Sequence, residues 1–157
     1  MQVTTMKPLN LIEHPEGGRY QEIFRSNTSV STADSTLRCA LTHIYFSLNP
    51  DEKSHFHRVN GDEVWNFYQG AGLYLYLWDG TQSPPQRITL SPEENQFCYV
   101  VPSGMWQAAV PIQDRILVGC SVAPGFEFAN FELLDSTSKE GQLLCSIAPD
   151  LHQLILS

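Results

Sequence analysis

Short apolar runs alternate with turn residues along almost the whole chain, which is the pattern of an all-β protein. Arg19-Tyr20-Gln21-Glu22-Ile23-Phe24 reads as a strand, with Tyr20 and Glu22 on one face and Arg19, Gln21 and Arg25 on the other. Asn27 to Thr36 is rich in Ser and Thr and reads as a loop. Leu37 to Leu48 reads as one long apolar strand stopped by Asn49-Pro50. His55-Phe56-His57 lies on the next strand, and a turn at Asn60-Gly61 leads into a strand from Glu63 to Tyr68. Leu73 to Trp78 ends at Asp79-Gly80, a hairpin signal, and Arg87 to Leu90 is its return. Phe97 to Val101 and Met105 to Val110 make a further hairpin around Pro102-Ser103-Gly104. Arg115 to Val122 is strongly β in type, and Phe126 to Leu134 is aromatic-rich with less regular alternation. Short helical segments are expected only at the termini: Met6 to Ile12, helical or irregular, and Ser138 to Ile147, ended by Pro149. Many short strands at close spacing predict a sandwich or barrel.

Length and charge narrow this further. The 157 residues fit a single domain, 1–157, able to bury a core without disulfide staples. The formal net charge is −8, and the nine Lys and Arg are scattered. No basic patch for nucleic acid and no polybasic membrane signal exists, so acidity reads as a solubility trait. No apolar run is long enough to span a bilayer, and Met1 to Asn10 lacks a secretory layout. Cys39, Cys98, Cys120 and Cys145 are widely spaced, and three lie in apolar strand-like runs. They read as small buried hydrophobes, and a reduced, cytoplasmic protein is the expectation.

The chemistry concentrates around His55, His57 and Glu63. Two histidines one residue apart on a strand share a face, and a carboxylate across the next turn can fold back beside them. Such a set can bind a divalent metal, hold a polar ligand or move a proton. Tyr20 and Glu22 add a hydroxyl and a second carboxylate on one strand face, while Trp65, Phe67 and Trp106 can stack on a ligand ring or serve as core. His43, inside an apolar strand, reads as a structural histidine. His14-Pro15-Glu16-Gly17-Gly18 reads as a shaped turn, its glycines permitting unusual backbone angles.

Two stretches resemble the paired motifs of the cupin superfamily. His55, His57, Glu63 and Gly70 follow the first motif, with Asn49 in place of its leading glycine and one residue too many between His57 and Glu63. Pro102 and Gly104 follow the second, with Gln96 in place of its glycine and Gln107 in place of a histidine that is normally a metal ligand. A closer resemblance, to the small cupin-5 group, runs through His14-Pro15-Glu16-Gly17-Gly18-Arg19-Tyr20, Ser54 with His57-Arg58, Asp62-Glu63-Val64-Trp65, Val100 to Gly104 with Trp106, and Ala123 to Phe128 with Phe131-Glu132.

The resemblance implies a double-stranded β-helix, or jelly roll, with a ligand site at the open mouth of the barrel. It implies His57 and Glu63 as the catalytic pair and Gln107 as a hydrogen-bonding residue for a neutral polar ligand. His55, His57 and Glu63 remain as a divalent-metal set that Gln107 weakens, so no cofactor is the first expectation. The expected function is binding of a small molecule, with metal-independent isomerase or epimerase chemistry on a polar, carbohydrate-like metabolite. A non-catalytic binding or sensor module and a metal-dependent enzyme are the alternatives. Cupins commonly pair, and apolar residues on both faces of Leu73 to Trp78 suit a covered sheet face, so a homodimer is expected.

Overall fold

A computed structural model describes residues 8–156. In chain order the strands are β1 (Ile12–Glu13), β2 (Arg19–Arg25), β3 (Ser29–Ser31), β4 (Leu37–Cys39), β5 (Thr42–Leu48), β6 (Ser54–Val59), β7 (Asp62–Gln69), β8 (Leu73–Trp78), β9 (Gln86–Leu90), β10 (Cys98–Val101), β11 (Trp106–Pro111), β12 (Ile116–Ala123) and β13 (Phe131–Leu133). The first sheet runs β1-β2-β5-β12-β7-β10 and the second β13-β6-β11-β8-β9, all pairings antiparallel. Chain neighbours β6 and β7 lie in different sheets, as do β11 and β12, and this repeated crossing makes the all-β fold a jelly roll.

Strand alternation decides what the barrel buries. Leu73, Leu75 and Leu77 of β8 face Phe46, Leu48, Trp65, Phe67, Ile116 and Val118 of the first sheet in one continuous core. The opposite face of the second sheet is also apolar, with Phe56, Trp78, Trp106 and Ala108 buried beneath the C-terminal segment. That cover consists of helix α1 (Lys139–Ile147) and a 3-10 helix, Pro149–Leu154, which bring in Leu144, Leu151 and Leu154. Ser138 caps α1 by accepting the Gly141 N–H at 3.0 Å.

Several elements differ from the sequence reading. Leu37 to Leu48 is not one strand: it breaks at Ala40-Leu41, and its first part pairs with β3, inside the stretch read as a loop. The hairpin at Asp79-Gly80 forms as read, β8 pairing with β9, through a seven-residue connection in which the Trp78 indole N–H donates to Thr81 O and Ser83 O. Phe126 to Leu134 forms a 3-10 turn, Phe128–Asn130, before β13. Of the N-terminal lead-in, Met6 and Lys7 lie outside the described residues, and Ile12–Glu13 pairs with β2 as a strand. Helix α1 ends at Ile147, before Pro149, as read, and the sequence reading lacked the separate 3-10 helix that begins at Pro149. All four cysteines are free, yet only Cys120 is fully buried; Cys98 is exposed and Cys39 and Cys145 are half-buried, because strand ends and the α1 flank leave them uncovered. No helix among the described residues is long and apolar enough to cross a membrane.

Candidate functional site

One end of the barrel opens into a cavity of about 120 Å³. Its walls come from β2, β5, β7 and β12 of the first sheet, from β6 of the second, from the turn before β2 and from the β12–β13 connection. The polar side chains lining it are His14, Glu16, Tyr20, Glu22, Arg25, Thr42, His57, Glu63 and Glu127.

The turn His14 to Gly18 sets the floor. The His14 N–H donates to Gly18 O and the Gly17 N–H to His14 O, each at 3.0 Å, closing a tight loop. Gly17 and Gly18 both have positive φ, 108° and 73°, and a Cβ on Gly17 would run into the Lys53 carbonyl oxygen. This compact turn drives the Glu16 side chain inward, where it is 6 % exposed. Its Oε1 accepts from Ser54 Oγ at 2.9 Å, and its Oε2 lies 3.0 Å from His57 Nε2. The other nitrogen of His57 donates to the His55 carbonyl at 2.7 Å. Burial disfavours a charge on both groups, but the His57–Glu16 pair overrides it: His57 is held up to about 9 and Glu16 below its ordinary value. His57 is therefore a fixed imidazolium, with both nitrogens engaged by protein acceptors.

Glu63, on β7, meets a different environment. Burial pushes its carboxyl up to about 7, the negative charge of Glu16 adds to this, and the His57 charge and the Gln107 amide work against it. Gln107 Nε2 donates to Glu63 Oε2 at 2.8 Å, and Gln107 Oε1 accepts from the Trp65 indole N–H at 2.7 Å. The indole thus fixes which way the amide points, and the amide fixes one carboxylate oxygen. Glu63 Oε1 accepts no hydrogen bond among the described residues and is not sealed from the cavity. The proton affinities of two carboxylates in one cavity are thereby driven apart, Glu16 held below the ordinary carboxylate range and Glu63 raised to about 7.

At the mouth, Arg25 is saturated. Its Nε and Nη2 donate to the two oxygens of Glu22 at 2.9 and 3.0 Å, Nη1 to Glu127 Oε1 at 2.9 Å and to Cys39 Sγ at 3.5 Å, and Nη2 also to Phe126 O at 2.9 Å. The strand-face assignment for Arg25 is corrected here. A bulge at Ile23 pairs Glu22 with Ile44 but Phe24 with His43, so the parity of β2 flips and Arg25 joins Tyr20 and Glu22 on the cavity face.

The structure brings His57, Glu63, Tyr20 and Glu22 to the cavity, with Gln107 directly behind Glu63. Trp65 and Phe67 sit in the inner core; Trp65 serves the site only through Gln107. Trp106 faces the other way, beneath α1, where its indole N–H donates to Glu140 and Arg58 stacks on its ring. The strand period explains this: Gln107 faces the barrel interior, so its neighbour Trp106 cannot.

The metal set is not assembled either. His55 Nδ1 bonds the Glu16 carbonyl at 2.7 Å, outside the cavity lining. His57 carries a proton on both nitrogens, and Gln107 turns its donor edge, not its oxygen, toward Glu63. Among the described residues no group of three His, Cys, Asp or Glu side chains is arranged to hold a metal ion. The donors present do not fit a divalent ion.

The family resemblance gave the His14 to Gly18 turn a role at the pocket edge without singling out His14 or Glu16, and sequence reasoning left out Arg25, Phe126, Glu127 and Phe128 as site residues. The double glycine after Glu16 was the signal for Glu16. The rim residues carry no periodic signal, since they lie on an irregular connection. His43 sits on the outer face with Nδ1 2.7 Å from Ser121 Oγ and Nε2 3.2 Å from Tyr68 OH, a satisfied structural histidine.

The family model described as "Cupin superfamily (DUF985)" matches residues 4–134, and the chain belongs to that family. A hypothetical protein from Leishmania major is 28% identical, with 94% of each chain covered and a TM-score of 0.78. A protein from Shewanella oneidensis is 32% identical over 92% of this chain and 88% of its own, with a TM-score of 0.76. A cupin 2 domain-containing protein from Halorhodospira halophila shares the fold at 16% identity and a TM-score of 0.61, over 93% of this chain and 88% of its own. No curated protein matches the chain.

Proposed function

We propose that this cupin is a metal-independent enzyme that moves a proton on a small, uncharged, carbohydrate-like metabolite, with Glu63 as the general base. The observation that carries this reading is the state of Glu63: one oxygen held by Gln107, the other open to the cavity, and a carboxyl pushed to about 7 by burial. A base that only stiffened the barrel would need neither an open oxygen nor a tuned proton affinity. His57 and Glu16 act as a fixed charge pair that anchors the floor, and Tyr20 offers a hydroxyl beside it.

The charge inventory supports an uncharged ligand. Both cations of the cavity are taken up by protein acceptors, so none is left for a phosphate or carboxylate. The remaining open groups are the second Glu63 oxygen, the Tyr20 hydroxyl and one edge of the His14 ring, a mixed acceptor and donor set that suits a neutral polyhydroxy ligand. Native mass spectrometry of the freshly purified protein, followed by thermal-shift screening of free sugars and sugar acids, tests this. Stabilisation by neutral polyhydroxy compounds with turnover that Glu63→Gln abolishes supports the proposal. Binding that Glu63→Gln leaves intact, with no turnover of any ligand found, supports a binding module instead. Preference for anionic ligands overturns the substrate class.

A further inference from the structure

His14 lines the same cavity and has been given no task. Its side chain is 5 % exposed and sits within a ring of aromatic side chains: Tyr20 at 4.8 Å between ring centroids, Phe131 at 5.6 Å, and Phe46 and Phe128 at 6.0 Å. Its Nδ1 accepts the Glu16 backbone N–H at 3.2 Å, and a nitrogen that accepts an N–H carries no proton. The proton of the neutral ring is then on Nε2. That atom has no protein partner among the described residues, and it is not among the sealed, unpartnered atoms, of which Arg38 Nε is the only one. The free N–H edge of His14 therefore opens on the cavity.

Burial in this apolar ring keeps His14 neutral, offsetting the pull of Glu16, and the nearby His57 charge acts in the same direction. The cavity thus contains a base with an open oxygen and, separately, a neutral imidazole with an open N–H. A neutral imidazole is a good hydrogen-bond donor to a carbonyl oxygen that becomes an enolate, because it stabilises the developing charge without trapping it as an acid.

We propose that His14 is a second catalytic residue, donating its Nε2–H to the carbonyl oxygen of an α-hydroxycarbonyl substrate while Glu63 removes the adjacent C–H proton. This rests on the proton-transfer reading of Glu63. In the step, Glu63 Oε1 takes the proton, the C–H electron pair becomes the new C=C bond, and the carbonyl π pair moves onto oxygen. The enolate oxygen is held by His14. The Glu63 carboxyl exchanges its proton with solvent while the enolate is held, and delivery of the exchanged proton to that carbon restores the carbonyl and carries a solvent hydrogen into the substrate. Nothing is oxidised or reduced, and no co-reactant is consumed.

The test follows solvent deuterium into dihydroxyacetone, glyceraldehyde and free hexoses by proton NMR. Wild type should exchange at least one of them, and Glu63→Gln none. His14→Phe keeps the ring among its aromatic neighbours but removes the Nε2 donor together with the Nδ1 acceptor of the Glu16 N–H; it should stay folded with a modestly lower melting temperature and lose about 100-fold or more in exchange rate. His14→Gln, which retains an N–H, should recover part of that loss. A folded His14→Phe that exchanges within about threefold of wild type overturns the role of His14 and leaves Glu63 standing. Wild type that exchanges none of the probes overturns both. Independently of activity, nitrogen-15 NMR of histidine-labelled protein at pH 7 should show His14 as the neutral Nε2–H tautomer and His57 as an imidazolium. An imidazolium or an Nδ1–H tautomer at His14 also overturns the inference.

Discussion

Glu63 and Glu16 are the same side chain in the same cavity, and their partners give them opposite proton affinities. Glu16 has a cation at 3.0 Å and a serine donor; Glu63 has burial and a neutral amide. Activity that needs ionised Glu63 should therefore rise with pH across a window centred near 7 and then level off, while Glu63→Gln shows no such rise. A rate profile with no inflection between pH 6 and 8 would argue against Glu63 as the base.

The same two groups give a stability prediction. Glu63 binds its proton more tightly folded than unfolded, so its contribution is present below about 4.5 and is lost as pH rises through about 7. The loss is on the order of 3 kcal/mol. His57, also raised, contributes fully below about 6.5 and loses that contribution as pH climbs through about 9. Glu16, lowered, acts in the other sense and loses its contribution in acid. Melting temperature should thus fall between pH 5 and pH 9, and Glu63→Gln should flatten the lower half of that fall. A melting temperature that climbs over this range would contradict the assignment. Leaving His57 without its partner, as in Glu16→Gln, should cost about 3–5 kcal/mol in chemical denaturation, because a buried charge then stands alone.

At the scale of elements, the second sheet separates two tasks on its two faces. On β11, Gln107 serves the site and Trp106 serves the outer core beneath α1. Trp106→Ala should cost about 3–5 kcal/mol in urea unfolding and leave ligand affinity unchanged. An affinity loss without a stability loss would return Trp106 to the site. The bulge in β2 does comparable sorting: one extra residue at Ile23 brings Arg25 round to Glu22 and Glu127, and so ties the rim connection to the first sheet.

For the whole molecule, a homodimer remains a proposal, and its grounds have shifted. The apolar outer face of β8 is partly covered by the chain's own C-terminal segment, with Trp78 buried there and Tyr76 packed against it. Among the described residues nothing covers the outer face of the first sheet in this way, and Phe24, Tyr68 and Val100 are exposed on it. Light scattering at micromolar concentration should return twice the chain mass of 17.7 kDa. A monomer mass would end the proposal, and Tyr68→Glu should dissociate a dimer that uses this face.

The sequence by itself determined the all-β class, most strands, the C-terminal helix and the placement of His57 and Glu63 on consecutive strands. Those follow from period-two alternation, turn residues and capping, all of which act within a few residues. It could not determine which acid His57 would meet. Glu16 is 41 positions from His57 and reaches it only because β6 and the turn before β2 converge at the barrel mouth. Nor could it set the side of Arg25, since a bulge shows only in the pairing with β5, or separate Trp65 from Trp106 by role, since both are apolar strand residues. Proton affinity was the least legible property. It depends on burial and on charges brought together across sheets, so only the tertiary structure could lower the proton affinity of one glutamate and raise that of the other to about 7.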